Sequence, residues 1–391
     1  MNKKILFITG TRADFGKLKP LITKVDTSKD FECYIFVTGM HTLSRYGYTM
    51  NEVYKTFKEH KLVKGFSRIH TFINQVDGEP MDTVLANTIK GFSRYIHEFR
   101  PDLIVVHGDR VETLAGAIVG SLNNIPVAHI EGGEISGTVD ELIRHAVTKF
   151  AQLHFVANTE AERRLVQIGE VPESIFVIGS PEVDVMLSND LPSIEKTKER
   201  YNINFDDYAI FCYHPVTTEV EGLERRIDGI IDAVMACGWN FVLIHPNNDH
   251  GSDIIMNSIE TKLSTNVKFR IFPSLRFEYF LTLLKNAKAI VGNSSAGVRE
   301  APVYGVPTVN IGSRQHNRFN YKSIVNTPDN GEEVLRALND VSSEKEEPTV
   351  HFGKGNSAEK FIETLRTSEL WERPVQKQFQ DLPQIIYDKK D

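Results

Sequence analysis

DLIVVHGDRVETLAGAIVGSLNN (102–124) carries the reading of this chain. It opens with a continuous apolar run, DLIVVH (102–107), turns through Gly-Asp-Arg, and continues as VETLAGAIVGSLNN (111–124), a segment of helical period. A strand that does not alternate with polar residues is covered on both faces, as in a parallel sheet. Working outward, the same unit recurs. KILFIT (4–9), ECYIFVT (32–38), IPVAHI (125–130), HFVAN (154–158) and IFVIG (175–179) are further strands of this kind. A second series comes later in the chain: YAIFCY (208–213), NFVLIH (240–245), KFRIF (268–272), AIVG (289–292) and VPTVNI (306–311). Helical segments such as MDTVLANTIKGFSRYIHEF (81–99) and FEYFLTLLKNA (277–287) lie between them. Strands alternating with helices predict α/β architecture, and two separated series predict two Rossmann-like doubly wound domains. The polar, turn-rich stretch GSPEVDVMLSNDLPS (179–193) marks the boundary, giving a first domain over 1–184 and a second over 185–367.

The length of 391 residues is material for two such cores. With 45 basic against 52 acidic residues the formal net charge is −7, which argues against a nucleic-acid or membrane partner, since phosphates demand a basic surface. Any bound anion must be met by a few placed residues. The three cysteines, Cys33, Cys212 and Cys237, have no zinc or disulfide spacing and read as packing residues of a reduced protein. The apolar stretch near the N-terminus is too short for a signal peptide, and no later run reaches the roughly 18 residues of a membrane span, so the expectation is a cytoplasmic enzyme.

The strand ends are more informative than the strands. TGTRAD, TGMH, HGDR, HIEGGE, YHPV, IHPN, FPS, GNSSAG and GSR all stand there. In open parallel sheets ligands bind at the carboxyl ends of the strands, so two such domains would face each other across a cleft. VGNSSAGVREA (291–301) is the anion-binding candidate: Ser294 and Ser295 open a helix, where free N–H groups and the helix dipole favour a diphosphate. Glu300, farther along that helix, is a candidate for ribose hydroxyls. Arg12, Arg110 and Arg314 each come after a strand and can offer a fork of donors to phosphate. Asp109 and Glu131 end neighbouring strands, Asp140 comes after a Gly-Ser-Gly-Thr loop, and His145 lies farther along the next helix. Crowded carboxylates cannot all ionise easily, which predicts at least one raised pKa and an acid–base pair for proton transfer. The oxygen ligands lack a metal-binding spacing, so no metal is expected. His214 opens the second domain's crevice opposite the carboxylates.

At this point the motifs resemble a known family. GTRADFGKLKP (10–20), TGMH (38–41), HGDRVETLAG (107–116), HIEGGEISGTVDELIRH (129–145), YHPVTTE (213–219), HPNND (245–249), GNSSAGVREAP (292–302) and GVPTVNIGSRQ (305–315) resemble, in order and over nearly the whole chain, the hydrolysing UDP-N-acetylglucosamine 2-epimerases of bacterial sialic-acid pathways. The resemblance implies a glycosyltransferase-B-like fold, a homodimer or dimer of dimers, and a UDP-sugar substrate processed without metal or cofactor. It implies Asp109, Glu131, Asp140 and His214 as the catalytic set. It implies UDP contacts from Arg12, Arg110, His214, Asn247, Phe272, Ser294, Ser295, Glu300 and Arg314, and sugar contacts from Asp14, Lys17 and His41. It also implies a final helix returning to the first domain, assigned to 368–391. Gly16 departs from the animal form, which has Ser there. HGDR rather than Gly-Asp-Thr after the third strand favours the hydrolysing branch over the non-hydrolysing one. The alternatives are the same reaction on UDP-2,4-diacetamido-2,4,6-trideoxyglucose, a UDP-sugar glycosyltransferase, and a non-catalytic nucleotide-sugar sensor.

Overall fold

The computed structural model describes residues 2–57, 66–136, 138–247, 249–341 and 344–381. The first sheet contains β1 (Lys3–Thr9), β2 (Phe31–Val37), β3 (Ile69–Thr71), β4 (Leu103–His107), β5 (Val127–Ile130), β6 (Leu153–Val156) and β7 (Ile175–Val177). Its order is β3-β2-β1-β4-β5-β6-β7. The second contains β8 (Ala209–Cys212), β9 (Phe241–Ile244), β10 (Phe269–Phe272), β11 (Ile290–Gly292), β12 (Thr308–Ile311) and β13 (Ile324–Thr327), in the order β10-β9-β8-β11-β12-β13. The strand pairings are parallel. Each sheet is doubly wound, and its chain order reverses beside its first strand: between β1 and β4, and between β8 and β11. Those reversals open the crevices in which such folds bind ligands. The expected strands are all present. β3 and β13 are additions, short edge strands that mix buried residues, Ile69 and Thr327, with partly buried or exposed ones.

Leu6, Ile104 and Val127 on one face and Phe7, Val105 and Ala128 on the other are fully buried, as continuous apolar strands require. Helices start where short polar side chains satisfy the first free N–H groups. Thr11 accepts from the Asp14 N–H at the start of Arg12–Thr27, and Thr138 accepts from the Asp140 N–H at the start of Val139–Phe150. Both caps come after strand ends, so they hold the residues of the first turn at the mouth of the sheet.

The return to the first domain differs from expectation. Over 368–381 only Ser368–Trp371 is helical, because Pro374 comes next and the residue before a proline avoids helical backbone. Residues 382–391 lie outside the described residues. The returning helix is Ser357–Arg366, within the stretch expected to belong to the second domain. Its Phe361, Ile362 and Leu365 pack in the core of β1 and β2. Asp184 caps this helix, accepting from the Ser357 and Ala358 N–H groups at 2.9 and 2.8 Å. The outgoing and returning chain segments are thereby tied together. Gly16 explains its departure: a Cβ there would stand 2.4 Å from Cβ of Phe277 in the second domain, so the two domains meet at this residue without room for a side chain. Among the described residues no helix is long and apolar enough to cross a membrane.

Candidate active site

A cavity of about 300 Å³ lies between the two domains. Asp14, Asp109, Glu131, Asp140, Lys17, Arg12 and Arg110 line it from the first domain; His214, Asn247, Ser294, Ser295, Glu300 and Arg314 line it from the second. A larger open hollow of about 900 Å³ lies at the outer edge of the first sheet beside β3, with an aromatic floor of Phe66, Phe72 and Tyr95 and none of the residues just named. The convergent ionisable groups are in the interdomain cleft, where ligand sites of two-domain proteins form.

Glu131 comes directly after β5 with φ at +63°, a left-handed backbone that is uncommon outside glycine. The chain must turn sharply here, because Gly133 also has positive φ and a Cβ on it would sit 2.4 Å from the Ala161 carbonyl oxygen. The turn drives the Glu131 side chain into the cleft floor. There its Oε1 accepts from Arg299 Nη2 at 2.7 Å and from the Ser180 hydroxyl, and its Oε2 lies 3.2 Å from His107 Nε2. Burial pushes its pKa up, but Arg299, His107 and Lys17 outweigh burial and hold Glu131 well below the usual carboxylate range. Asp109 pairs with Arg144, and Asp140 lies 3.4 Å from Arg314 of the second domain. Both are about a quarter exposed, facing the cavity.

Asp14 holds its proton to a higher pH than an ordinary carboxyl. Burial raises its pKa to about 6, against the bonds from Thr9 and the Gly10 N–H that favour the charged form. Glu182 is also raised, by burial first, with Arg299 opposing. The predicted split among crowded carboxylates therefore exists, but Asp14 and Glu182 are raised while Glu131 is lowered.

On the second-domain side, Ser294 accepts from the Ala296 N–H and caps a helix that differs from expectation. The helix breaks at Arg299 into Ser295–Val298 and Glu300–Val303. Glu300 consequently turns toward the first domain and lies 3.1 Å from Lys17 Nζ. Arg314 Nη1 donates to the Asn293 carbonyl at 3.2 Å, and Arg12 Nη1 donates to Ser274 Oγ at 2.8 Å. His214 Nδ1 accepts from the Asn247 N–H at 3.1 Å, and its Nε2 lies 3.3 Å from Cys212 Sγ. Burial, with Arg314 and Arg110 nearby, keeps its pKa well below the usual histidine value, so His214 is neutral at physiological pH.

Three expected residues lie elsewhere. His41 is fully buried behind the cavity wall, its ring nitrogens taken by Thr9 at 3.0 Å and Thr49 at 2.7 Å. Phe272 does not line the cavity. Its carbonyl accepts from the His245 N–H at 3.0 Å and its ring packs edge-on against Tyr201, while the next residues, Pro273 and Ser274, reach the cavity. His145 pairs weakly with Glu141 at 3.8 Å and does not line the cavity.

Sequence reasoning missed the charged floor of the cleft. Arg299, 1% exposed, donates from Nε to Glu182 at 2.9 Å, from Nη2 to Glu131 and Ser180, and from Nη1 to Glu134. Arg144 and Arg318 also donate to Glu134, at 3.2 and 3.1 Å. Lys17 joins Glu182 to Glu300. The signal available was weak: Glu134 and Arg299 sit inside the motifs HIEGGE and GNSSAGVRE, but charges in turns and on helices ordinarily read as solvated.

The sequence profile of the UDP-N-acetylglucosamine 2-epimerase family matches residues 23–366. The chain is 46% identical to a UDP-N-acetylglucosamine 2-epimerase of Neisseria meningitidis over 384 residues, covering 97% of this chain and 99% of the relative. It is 32% identical to a hydrolyzing UDP-N,N'-diacetylbacillosamine 2-epimerase of Legionella pneumophila, covering 95% and 97%. In fold it is similar to a UDP-GlcNAc 2-epimerase of Methanocaldococcus jannaschii solved with UDP-GlcNAc and UDP, with a TM-score of 0.77 at 22% identity and coverage of 93% and 99%. Two doubly wound sheets closing on one ionisable cleft, together with these matches across the length of the sequence, mean that the chain belongs to the UDP-N-acetylglucosamine 2-epimerase family.

Proposed function

We propose that this protein is a hydrolysing 2-epimerase that converts UDP-N-acetylglucosamine and water to N-acetylmannosamine and UDP, as a step toward sialic acid. The observation that carries the proposal is the distribution of groups across the cleft: Asp14, Asp109, Glu131 and Asp140 line the first-domain side together with Arg12, Lys17 and Arg110, while Ser294, Ser295, Asn247 and Arg314 line the other beside Glu300. The C2–H of the sugar is not adjacent to a carbonyl and is weakly acidic, so departure of UDP must supply positive character at C1. Ser294, Ser295, Asn247 and Arg314, with Arg12 and Arg110 from the facing domain, stabilise the charge that develops on the diphosphate. Glu300 binds the ribose hydroxyls. Neutral His214 orients this end through its bond from the Asn247 N–H.

On the sugar side Glu131, held ionised, takes the C2 proton as the C1–O bond breaks, giving 2-acetamidoglucal and UDP. Water then adds its hydroxyl to C1 and a proton returns to C2 on the opposite face. Asp109 and Asp140, open to the cavity, handle water and that returning proton. Asp14 and Lys17 complete the sugar end, with Asp14 holding a proton up to about pH 6.

The 32% identity to an enzyme named for a diacetylated bacillosamine nucleotide supports a second substrate, the UDP-2,4-diacetamido-2,4,6-trideoxy sugar. Measuring kcat/KM on both sugar nucleotides tests the choice. The proposal predicts a preference for UDP-N-acetylglucosamine of tenfold or more, the size of discrimination one substituent contributes, roughly 1–3 kcal/mol. The opposite preference would reassign the substrate and keep the chemistry.

A further inference from the structure

Among the described residues Arg299 is the largest side chain fully withdrawn from water. It belongs to the second domain by sequence, between β11 and β12, yet its hydrogen-bonded carboxylate partners, Glu131, Glu134 and Glu182, precede the second domain. Its N–H donates to the Ser295 carbonyl at 2.9 Å, so one tight turn carries both the hydroxyls assigned to the diphosphate and this guanidinium. The helix break at Arg299 aims the side chain across the domain boundary. An arginine in this position cannot be a solvated helix residue, and a lysine could not reproduce its fork of donors.

We propose that Arg299 is a positioning residue that couples the two domains: it supplies, from the nucleotide-binding turn, the charge that fixes Glu131 in the cleft floor, so the catalytic carboxylate is complete only when the domains are together. This rests on the reading of Glu131 as catalytic. The surroundings allow no simple substitute. Facing Glu131 are His107 from the end of β4 and Lys17 from the helix Arg12–Thr27, with the like charges of Glu134 and Glu182 opposing. Lys17 is already shared between Glu182 and Glu300, and Arg144 and Arg318 are engaged by Glu134. Withdrawing Arg299 would leave Glu131 buried beside two carboxylates without its own guanidinium, a condition that favours the protonated form. Opening of the cleft would have the same effect, so the proton acceptor would be active only in the closed enzyme.

The test uses the full-length enzyme with Arg299→Gln, Arg299→Lys and, as a control, Glu131→Gln. Steady-state kinetics are measured from about pH 5 to 9, and UDP affinity is measured by calorimetry. Arg299→Gln is expected to lower kcat on the order of 10²-fold and to bring the acidic limb belonging to Glu131 up into the measured range, where wild type with Glu131 ionised throughout shows none from that group, with UDP affinity within a few-fold of wild type. Arg299→Lys, which keeps the charge but loses the fork, is expected to fall between the two. An acidic limb and kcat unchanged in both variants would overturn the proposal. Should Arg299→Gln not fold, Arg299→Lys decides alone: a lower kcat at unchanged KM supports the coupling, and wild-type kinetics contradict it. Full activity in Glu131→Gln would instead remove the reading of Glu131 on which the coupling rests. An inactive Glu131→Gln beside unaffected Arg299 variants would overturn the coupling alone.

Discussion

The two sheets have one topology and opposite chemistry. β1 and β8 occupy the same place in their sheets, as do β4 and β11, and β5 and β12. After β1 comes Asp14, and after β8 comes His214; after β4 comes Asp109, and after β11 comes Ser294; after β5 comes Glu131, and after β12 comes Arg314. Strand order determines where a side chain can face the cleft, because parallel strands open their carboxyl ends at the chain reversal. The residue at the turn determines what that position does. In the proposed reaction one half offers the groups that move protons, and the other offers most of the donors that hold the leaving diphosphate. Elimination of a nucleotide from a sugar needs both at adjacent carbons, which a cleft between two such halves provides.

The largest effect of a single substitution is expected at Glu131. Glu131→Gln keeps the side chain's shape and removes its charge. Turnover should fall by on the order of 10³-fold, within the range for a lost proton-transfer group, while UDP affinity stays within a few-fold of wild type. A large loss of UDP binding would mean that the halves do not divide the work in this way.

The next test concerns the first domain's retained proton. The Asp14 carboxyl is raised from its ordinary 3.8 to about 6, so the folded protein holds a proton there that the unfolded chain releases. Its contribution to stability is therefore present at low pH and lost as pH rises from about 4 through about 6. Asp14→Asn should flatten that part of the stability profile relative to wild type, measured by urea midpoints at each pH. Superimposable profiles would show that Asp14 is not held protonated.

The smallest expected effect is on the second domain. Ser294→Ala removes one hydroxyl donor and one cap, each worth about 1 kcal/mol, so UDP affinity should weaken by roughly fivefold with kcat at saturation little changed. Calorimetric titration with UDP checks this. A loss of kcat at unchanged affinity would place Ser294 with the proton-moving groups and blur the comparison.

How much of this was legible depended on whether a residue's role is local. Continuous apolar strands announce a buried parallel sheet from their own composition, and their polar ends announce the cleft. Ile69–Thr71 and Ile324–Thr327 escaped notice because an edge strand is buried on fewer sides and can mix polar with apolar residues. Asp109, Glu131, His214 and Ser294 were visible because each stands just after a strand. Arg299, Glu134, Glu182 and Arg144 were not, since each becomes meaningful only against a partner distant in the chain, such as Arg299 with Glu131, 168 residues apart. His41 and Phe272 show the converse. Their motifs place them at strand ends, but tertiary packing turned the His41 ring toward Thr9 and Thr49, and the Phe272 carbonyl expected to meet the base is taken by the His245 N–H.

Elimination followed by hydration is tested by incubating the purified protein with UDP-N-acetylglucosamine in deuterium oxide, monitored by proton NMR. Free UDP and N-acetylmannosamine carrying deuterium at C2 are expected, because the proton taken from one face is replaced from solvent on the other. Exchange at C2 with UDP still attached to the sugar, or release of UDP with C2 configuration and hydrogen unchanged, would contradict that route.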